Sequence, residues 1–302
     1  RVCRKQIMTP QKKATVVSSS VAAVLTLIKL VIGFASGSVA VLASAIDSVL
    51  DMFVSIFNYF AISNSEKPAD KTFNYGRGKT EALASVIEGT IITISGLFLL
   101  YQAVKKAMSN EVSQLLETSI IVMLISLVIT ISLVLYLNYV AKKTNSMVIK
   151  ADALHYKTDV FSMGAVLISL ILVSLTGYEI IDVIVGGGIA LYIIYSAYSL
   201  IQEGILVLLD RAVDEEVVSN IEEIIKQNDK VNTYHLLKTR EAANQTFVEV
   251  HLVFNCLITL MEAHKATDSI ENKIKKLDTA RDWIINIHMD PYDDFKVNDT
   301  NH

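Results

Sequence analysis

The stretch Ala14–Ile46, ATVVSSSVAAVLTLIKLVIGFASGSVAVLASAI, holds a single charge, Lys29, in a run of apolar and small residues. A bilayer core of ~30 Å is crossed by about 20 apolar residues of helix. Lipid offers no partner to backbone N–H and C=O groups, so such a run has to satisfy them internally as helix. The run is too long for one crossing, and Gly33, Ser36, Gly37 and Ser38 supply a break. It reads as two spans, roughly 14–35 and 38–63. Outward from it, Pro68, Asn74, Gly76 and Gly78 mark a polar loop. A third span follows at roughly 80–104, and a fourth at roughly 117–140. No charge occurs from Thr118 to Ala141. A fifth span runs over roughly 149–175, and after a short turn at Gly177 and Tyr178 a sixth covers roughly 180–205.

Composition agrees with this division. Of 302 residues, 52% are hydrophobic and 19% charged, where a soluble domain carries about a quarter charged. Charge gathers before residue 13, in short patches, and after residue 209. The chain therefore divides into a membrane part, 1–208, and a soluble part, 209–302. A formal net charge of −4 gives no reason to expect a nucleic-acid partner. The cysteines, Cys3 and Cys256, form no CxxC and read as two free thiols. The basic start, Arg1 to Lys13, runs into apolar sequence without a small-residue cleavage signature, so a first span is expected, not a removable signal peptide.

Lys and Arg set the orientation. Arg1, Arg4, Lys5, Lys12 and Lys13 precede span one; Lys67, Lys71, Arg77 and Lys79 lie between spans two and three; Lys142, Lys143 and Lys150 lie between four and five. Only Lys105 and Lys106 lie on the opposite side. Both termini and the soluble tail are expected in the cytoplasm. In the tail, Val213–Gln227 and Leu260–Leu277 have helical spacing, while Val231–Arg240, Thr246–Phe254 and Trp283–Met289 read as strands. The order αββαβ predicts a small α+β domain, a sheet with helices on one face. A domain of about 85 residues builds a modest core only, which dimerisation would help.

The second span contains Asp47 and Asp51, and the fifth contains His155 and Asp159. Each pair is spaced i, i+4 and projects from one helical face. At ~1.5 Å per residue, Asp47 lies ~14 Å from the outer end of its span and Asp159 ~15 Å from the inner end of its own. All four meet near the bilayer midplane if these spans are neighbours. A charge at a helix centre costs roughly 2.5–3.5 kcal/mol even on a lenient scale. A divalent cation offsets that cost. Three oxygens and one nitrogen suit tetrahedral zinc; imidazole also accepts iron, cobalt and cadmium, while calcium and magnesium prefer all-oxygen shells. Glu88 and Glu203 have no spaced partner and read as structural or cavity-lining, and Lys29 as snorkelling to an interface.

Besides the terminal His302, the tail holds four histidines: His235 and His251 on the first two strands, His264 opening the second helix, and His288 on the third strand. His288 and Asp290 are i, i+2 and share a face. Four His and one Asp from adjoining elements suggest a second metal site. Two other classes compete with transport. A membrane-anchored metal sensor would use the tail but needs no charged ligands at the midplane. An enzyme would need a nucleophile motif, phosphate loop or HExxH, and the chain has none.

The DxxxD and HxxxD spans, with six spans and an αββαβ tail, resemble the cation diffusion facilitator family. The likeness runs through SVAVLASAIDSVLD (Ser38–Asp51), YGRGKTEALA (Tyr75–Ala84), ADALHYKTD (Ala151–Asp159), LLDR (Leu208–Arg211) and HMDP (His288–Pro291). This resemblance implies a homodimeric exporter in a bacterial inner membrane that exchanges cytoplasmic metal for protons. It implies that Asp47, Asp51, His155 and Asp159 form the transport site. It also implies that His235, His251, His264, His288 and Asp290 form a binuclear site in a metallochaperone-like tail, with Asp290 as bridge, and that metal there braces two tails together. One His among three Asp resembles the zinc or iron branch of the family more than the manganese branch. Zinc and ferrous iron take the same donor atoms, so the ligands do not separate them. Zinc-transporting relatives carry a third site in the loop after span two, built from one Asp and two His. Here Asp70 remains, but Phe73 and Arg77 stand at the aligning positions; this third site is expected to be absent.

Overall fold

The computed structural model describes residues 8–36, 39–108, 117–176, 180–243, 245–279 and 281–293. The turns expected at Gly37–Ser38 and Gly177–Tyr178, the first basic residues and Cys3 lie outside these. Six long helices come first: α1 (Pro10–Ser36), α2 (Val39–Ser65), α3 (Lys79–Met108), α4 (Glu117–Thr144), α5 (Met147–Thr176) and α6 (Ile180–Leu208). All six are long and apolar enough to cross a membrane. Pro10 begins α1, where its fixed φ suits a helix and its missing N–H costs nothing. Gly33 does not break α1, which runs through it and ends at Ser36; helical backbone bonds have no competitor in lipid, so an isolated small residue is tolerated.

Compact contacts divide the chain between Ile205 and Leu206, late in α6. In the first unit, side chains from five helices meet around Tyr156: Ala14, Ala61, Ile62, Ala84, Leu133, Leu137 and Ile149 are buried with it. Alanine dominates the early helices because small side chains let helices approach closely, and close packing replaces the hydrophobic effect inside a bilayer. Gly204 shows the same rule on α6: a Cβ there would lie 2.6 Å from Val86 Cγ2 and 3.1 Å from the Ala82 carbonyl oxygen of α3. Large apolar residues such as Phe34, Phe60, Leu135 and Tyr195 stand exposed on the outer faces, as lipid-facing residues do. Polar contacts fasten the helix ends. Lys12 pairs with Glu66 at 2.7 Å. Glu81, buried, accepts from Ser65 Oγ at 3.1 Å and Ser146 Oγ at 2.6 Å. Between α4 and α5, Asn145 turns the chain in the left-handed region at φ 50°, a conformation that Asn adopts more readily than most residues.

The second unit follows the predicted order: α7 (Glu215–Lys226), β1 (Val231–Ala242), β2 (Gln245–Phe254), α8 (Leu260–Ile274) and β3 (Asp282–Asp290). The sheet order is β1-β2-β3, with β1–β2 antiparallel and β2–β3 parallel. Val248, Val250, Leu252 and Phe254 of β2 are buried against Ile221 and Ile225 of α7 and Ile270 and Ile274 of α8. Both helices therefore cover one face of the sheet. A capping box of Thr259 and Glu262 opens α8, and the Thr259 bonds hold the Glu262 carboxyl below its ordinary range. Odd-numbered β2 residues face the other way, and they include His251.

Candidate metal centres

The first cluster lies between α2 and α5. His155 Nε2 is 3.0 Å from Asp51 Oδ1. One donor atom each from Asp51, His155 and Asp159 lies within 4.8 Å of the others. The His155 and Asp51 side chains are 11% and 20% exposed, so the group is largely withdrawn from solvent. Two carboxylates and one imidazole make three donors of the kind a divalent transition metal takes. Asp47 stands one turn away on α2, exposed, and is not among the three gathered donors.

The position of the cluster follows from helix geometry. Asp51 meets α5 because α2 and α5 run antiparallel along a common seam. Ser55 Oγ and Tyr156 Oη are 3.0 Å apart on it, and Asn58 Nδ2 donates to Asp152 Oδ1 at 3.3 Å. Lys29 on α1 departs from the expected snorkelling. It is 8% exposed, donates to Ser48 Oγ at 2.8 Å and to the Ser44 carbonyl at 3.3 Å, and lies within electrostatic reach of Asp51, Asp159 and Asp47. Acceptors on the neighbouring helix and nearby carboxylates hold the ammonium more cheaply than an extended stem would.

The second cluster crosses the tail sheet. His235 pairs in register with His251, and His251 with His288, so the three strands set three imidazoles in one row. Adjacent ring centroids are 5.0 and 4.6 Å apart. Asp290 serves all three. Its Oδ2 lies 3.0 Å from His251 Nδ1 and 3.6 Å from His235 Nε2, and its Oδ1 lies 3.1 Å from His288 Nε2. A carboxylate whose two oxygens face different imidazoles has the geometry of a bridging ligand. Asp290 and His235 are nearly buried and His288 is open, at 6%, 7% and 65% exposure. The ladder shifts register just beyond His235, where Leu236 sits at φ 50°; a bulge of this kind re-aims the residues beside it. His264 is not gathered with the others. It stands exposed on α8 and faces Asp268 at 3.7 Å.

Residues 15–209 match the family model described as the cation efflux transmembrane domain, and residues 213–292 match that of the cation efflux protein, cytoplasmic domain. The chain belongs to the cation diffusion facilitator family. It is 34% identical over 279 residues to the cation-efflux pump FieF of Klebsiella pneumoniae, covering 92% of each chain. Proteins of the same name from Escherichia fergusonii and Citrobacter koseri match at 34% with the same coverage. This cation diffusion facilitator is thus an integral membrane protein of metal transport and not an enzyme.

In the loop after α2 of this facilitator, Asp70 is engaged on both oxygens. Oδ1 accepts from the backbone amides of Phe73 at 2.8 Å and Thr72 at 2.9 Å, and Oδ2 pairs with Arg77 at 2.6 Å. Those amides, with the Arg77 guanidinium, hold the carboxyl below the usual carboxylate range. The bonds therefore persist below the ordinary Asp pKa and are lost only as pH falls through the lowered one. Arg77 also lies over the Phe73 ring, 4.4 Å from its centroid. Asp70→Ala is expected to leave bound metal unchanged by elemental analysis while exposing the loop to protease.

Sequence reasoning read Glu88 as structural or cavity-lining and passed over Asn58 and Asp152, with which it forms a third polar group. Asn58 Nδ2 donates to Glu88 Oε2 at 3.1 Å as well as to Asp152. The signal was present but faint: Asp152 stands three residues before His155 in the same stretch. Glu203, the other isolated acid, pairs with Lys150 at 2.5 Å.

Proposed function

We propose that the protein exports a divalent transition metal, zinc or ferrous iron and also cadmium or cobalt, from the cytoplasm in exchange for protons. In this reading it works as a homodimer in the bacterial inner membrane, with both termini cytoplasmic. The observation that carries it is the convergence of Asp51, His155 and Asp159 within 4.8 Å on helices long enough to cross a membrane. Ionisable groups gathered inside a membrane are costly and mark ion or proton pathways. Relatives named as cation-efflux pumps support the direction. Asp47 completes the shell as the fourth ligand. Metal needs the neutral imidazole, so protons and metal compete for His155. In a more acidic outer compartment the ring takes a proton and gives up the ion. A sensor built on the tail alone would leave the intramembrane cluster without a purpose. The test is zinc uptake into vesicles reconstituted with the purified protein, with and without a pH gradient. Uptake that depends on the gradient supports exchange, gradient-independent uptake removes the proton, and no uptake removes transport.

The tail site is part of this proposal. His235, His251, His288 and Asp290 hold metal there, with Asp290 as bridge; His264, as a further ligand, would have to turn from Asp268. His251→Ala together with His288→Ala is expected to lower the metal content per protomer while sparing the membrane site. Unchanged stoichiometry by elemental analysis counts against it.

A further inference from the structure

We propose that Glu88, Asp152 and Asn58 form a second cation station inside the membrane unit, where the transported divalent metal pauses before it reaches Asp51, His155 and Asp159. The proposal rests on the transport reading above. Three observations carry it.

The first is burial. Asn58 and Asp152 are 0% exposed and Glu88 is 1% exposed. Two carboxyls withdrawn from water in this way stay ionised only beside an electropositive companion.

The second is the hydrogen-bond inventory. The Asn58 amide nitrogen bonds both acids. Three oxygens are left without a partner: Asn58 Oδ1, Glu88 Oε1 and Asp152 Oδ2. Buried polar atoms are normally satisfied, and an orphan asks for an explanation. All three are acceptors, and an all-oxygen set of this kind suits a hard or borderline cation. Glu88 and Asp152 meet at one amide, Asn58 Nδ2 lying 3.1 Å from Glu88 Oε2 and 3.3 Å from Asp152 Oδ1.

The third is place. Asn58 follows Asp51 by i, i+7 on α2, and Asp152 precedes Asp159 by i, i+7 on α5. On antiparallel helices both steps lead the same way, two turns or about 10 Å. They lead toward the Ser65 end of α2 and the Met147 end of α5, the side read as cytoplasmic. Glu88 joins from α3. Between the two stations stands the Ser55–Tyr156 contact, with Tyr156 1% exposed. An ion from the cytoplasm therefore meets the oxygen station first. It passes Tyr156 to the cluster with the imidazole, which binds zinc more firmly.

The test uses full-length protein in lipid nanodiscs. A background carrying Asp47→Asn, Asp51→Asn, His155→Ala, Asp159→Asn, His235→Ala, His251→Ala and His288→Ala removes the other two centres. Equilibrium dialysis with zinc and with manganese(II) is expected to find one residual ion, weakened about tenfold or more by adding Glu88→Gln and Asp152→Asn. Glu88→Asp, which keeps the carboxylate, is expected to retain binding and guards against a mere loss of fold. A background that binds no ion, or binds it equally well with both acids neutralised, overturns the station. In the otherwise native protein, Glu88→Gln is expected to slow vesicle uptake about tenfold, with zinc affinity at the Asp51 cluster within about twofold. Slowed uptake with no residual ion in the background assigns the acids a proton or packing role and overturns the proposal. If the native protein moves no metal, the transport reading fails, and dialysis still decides whether the station binds.

Discussion

Asp51→Ala is expected to abolish zinc uptake into reconstituted vesicles while leaving the protein folded and its oligomeric state unchanged. Asp51 contributes one of three gathered donors and is also the partner of His155 at 3.0 Å. Its removal takes away a ligand and frees the imidazole to turn. Loss of a group that merely orients a ligand costs about 10–100-fold in metal affinity, so loss of a ligand and its orienting contact together should cost at least about 100-fold. Folding should survive, because deleting a carboxylate from a dry site also removes its desolvation penalty. Zinc uptake in vesicles, set beside size-exclusion chromatography of the same preparation, checks both halves. An Asp51→Ala protein that transports at the native rate would show that the cluster is not the transport site. The same substitution at Asp47, which lies outside the gathered donors, is expected to do less damage. That contrast reads how far the fourth ligand matters.

The second large effect is expected at His155. His155→Asp keeps a side chain able to ligate but makes the shell all oxygen. Imidazole favours zinc and its neighbours, whereas carboxylate and water favour harder ions. Zinc affinity should fall and manganese affinity rise, so that the zinc-to-manganese preference shrinks by roughly tenfold or more, about 1.4 kcal/mol. The pH profile should change as well. An imidazole exchanges its proton from an unperturbed value near ~6.5, and an Asp carboxyl near ~3.9. With His155 in place, metal affinity should drop as pH falls and the ring takes up its proton; with Asp in its place, the drop should move to lower pH. Competition binding across metals, repeated over a pH series, measures both. Native and variant proteins that lose metal over the same pH interval and release the same number of protons would remove His155 from the coupling.

Much of this architecture is legible along the chain. Apolar runs interrupted by Gly, Ser and Lys mark the six spans, because lipid admits only helix and every polar interruption stands out. Alternation in 231–254 and 283–289 marks the strands. The i, i+4 pairs Asp47/Asp51 and His155/Asp159 advertise themselves, because charge inside an apolar run is costly and periodic spacing sets a face. Residues lying close to one another in sequence carried each of these readings.

Contacts between elements are another matter. Asp51 faces His155 and Asp47 does not, because the relative depth of α2 and α5 decides which turn of each meets the other, and no local spacing encodes that depth. Lys29 finds Ser48 rather than an interface because α1 and α2 pack side by side. Asn58, Glu88 and Asp152 come from three helices and share no spacing pattern, so only packing reveals them as one group. In the tail, a strand pattern places a histidine on a face but leaves its register open, and a one-residue slip would move it to the other face. The ladder, with its bulge beyond His235, lines up His235, His251 and His288 and leaves His264 on a helix beside Asp268. Periodicity along one chain segment is a local property that a sequence displays; the offset between two segments is set by the side chains that fill the space between them, and it exists only once they have packed.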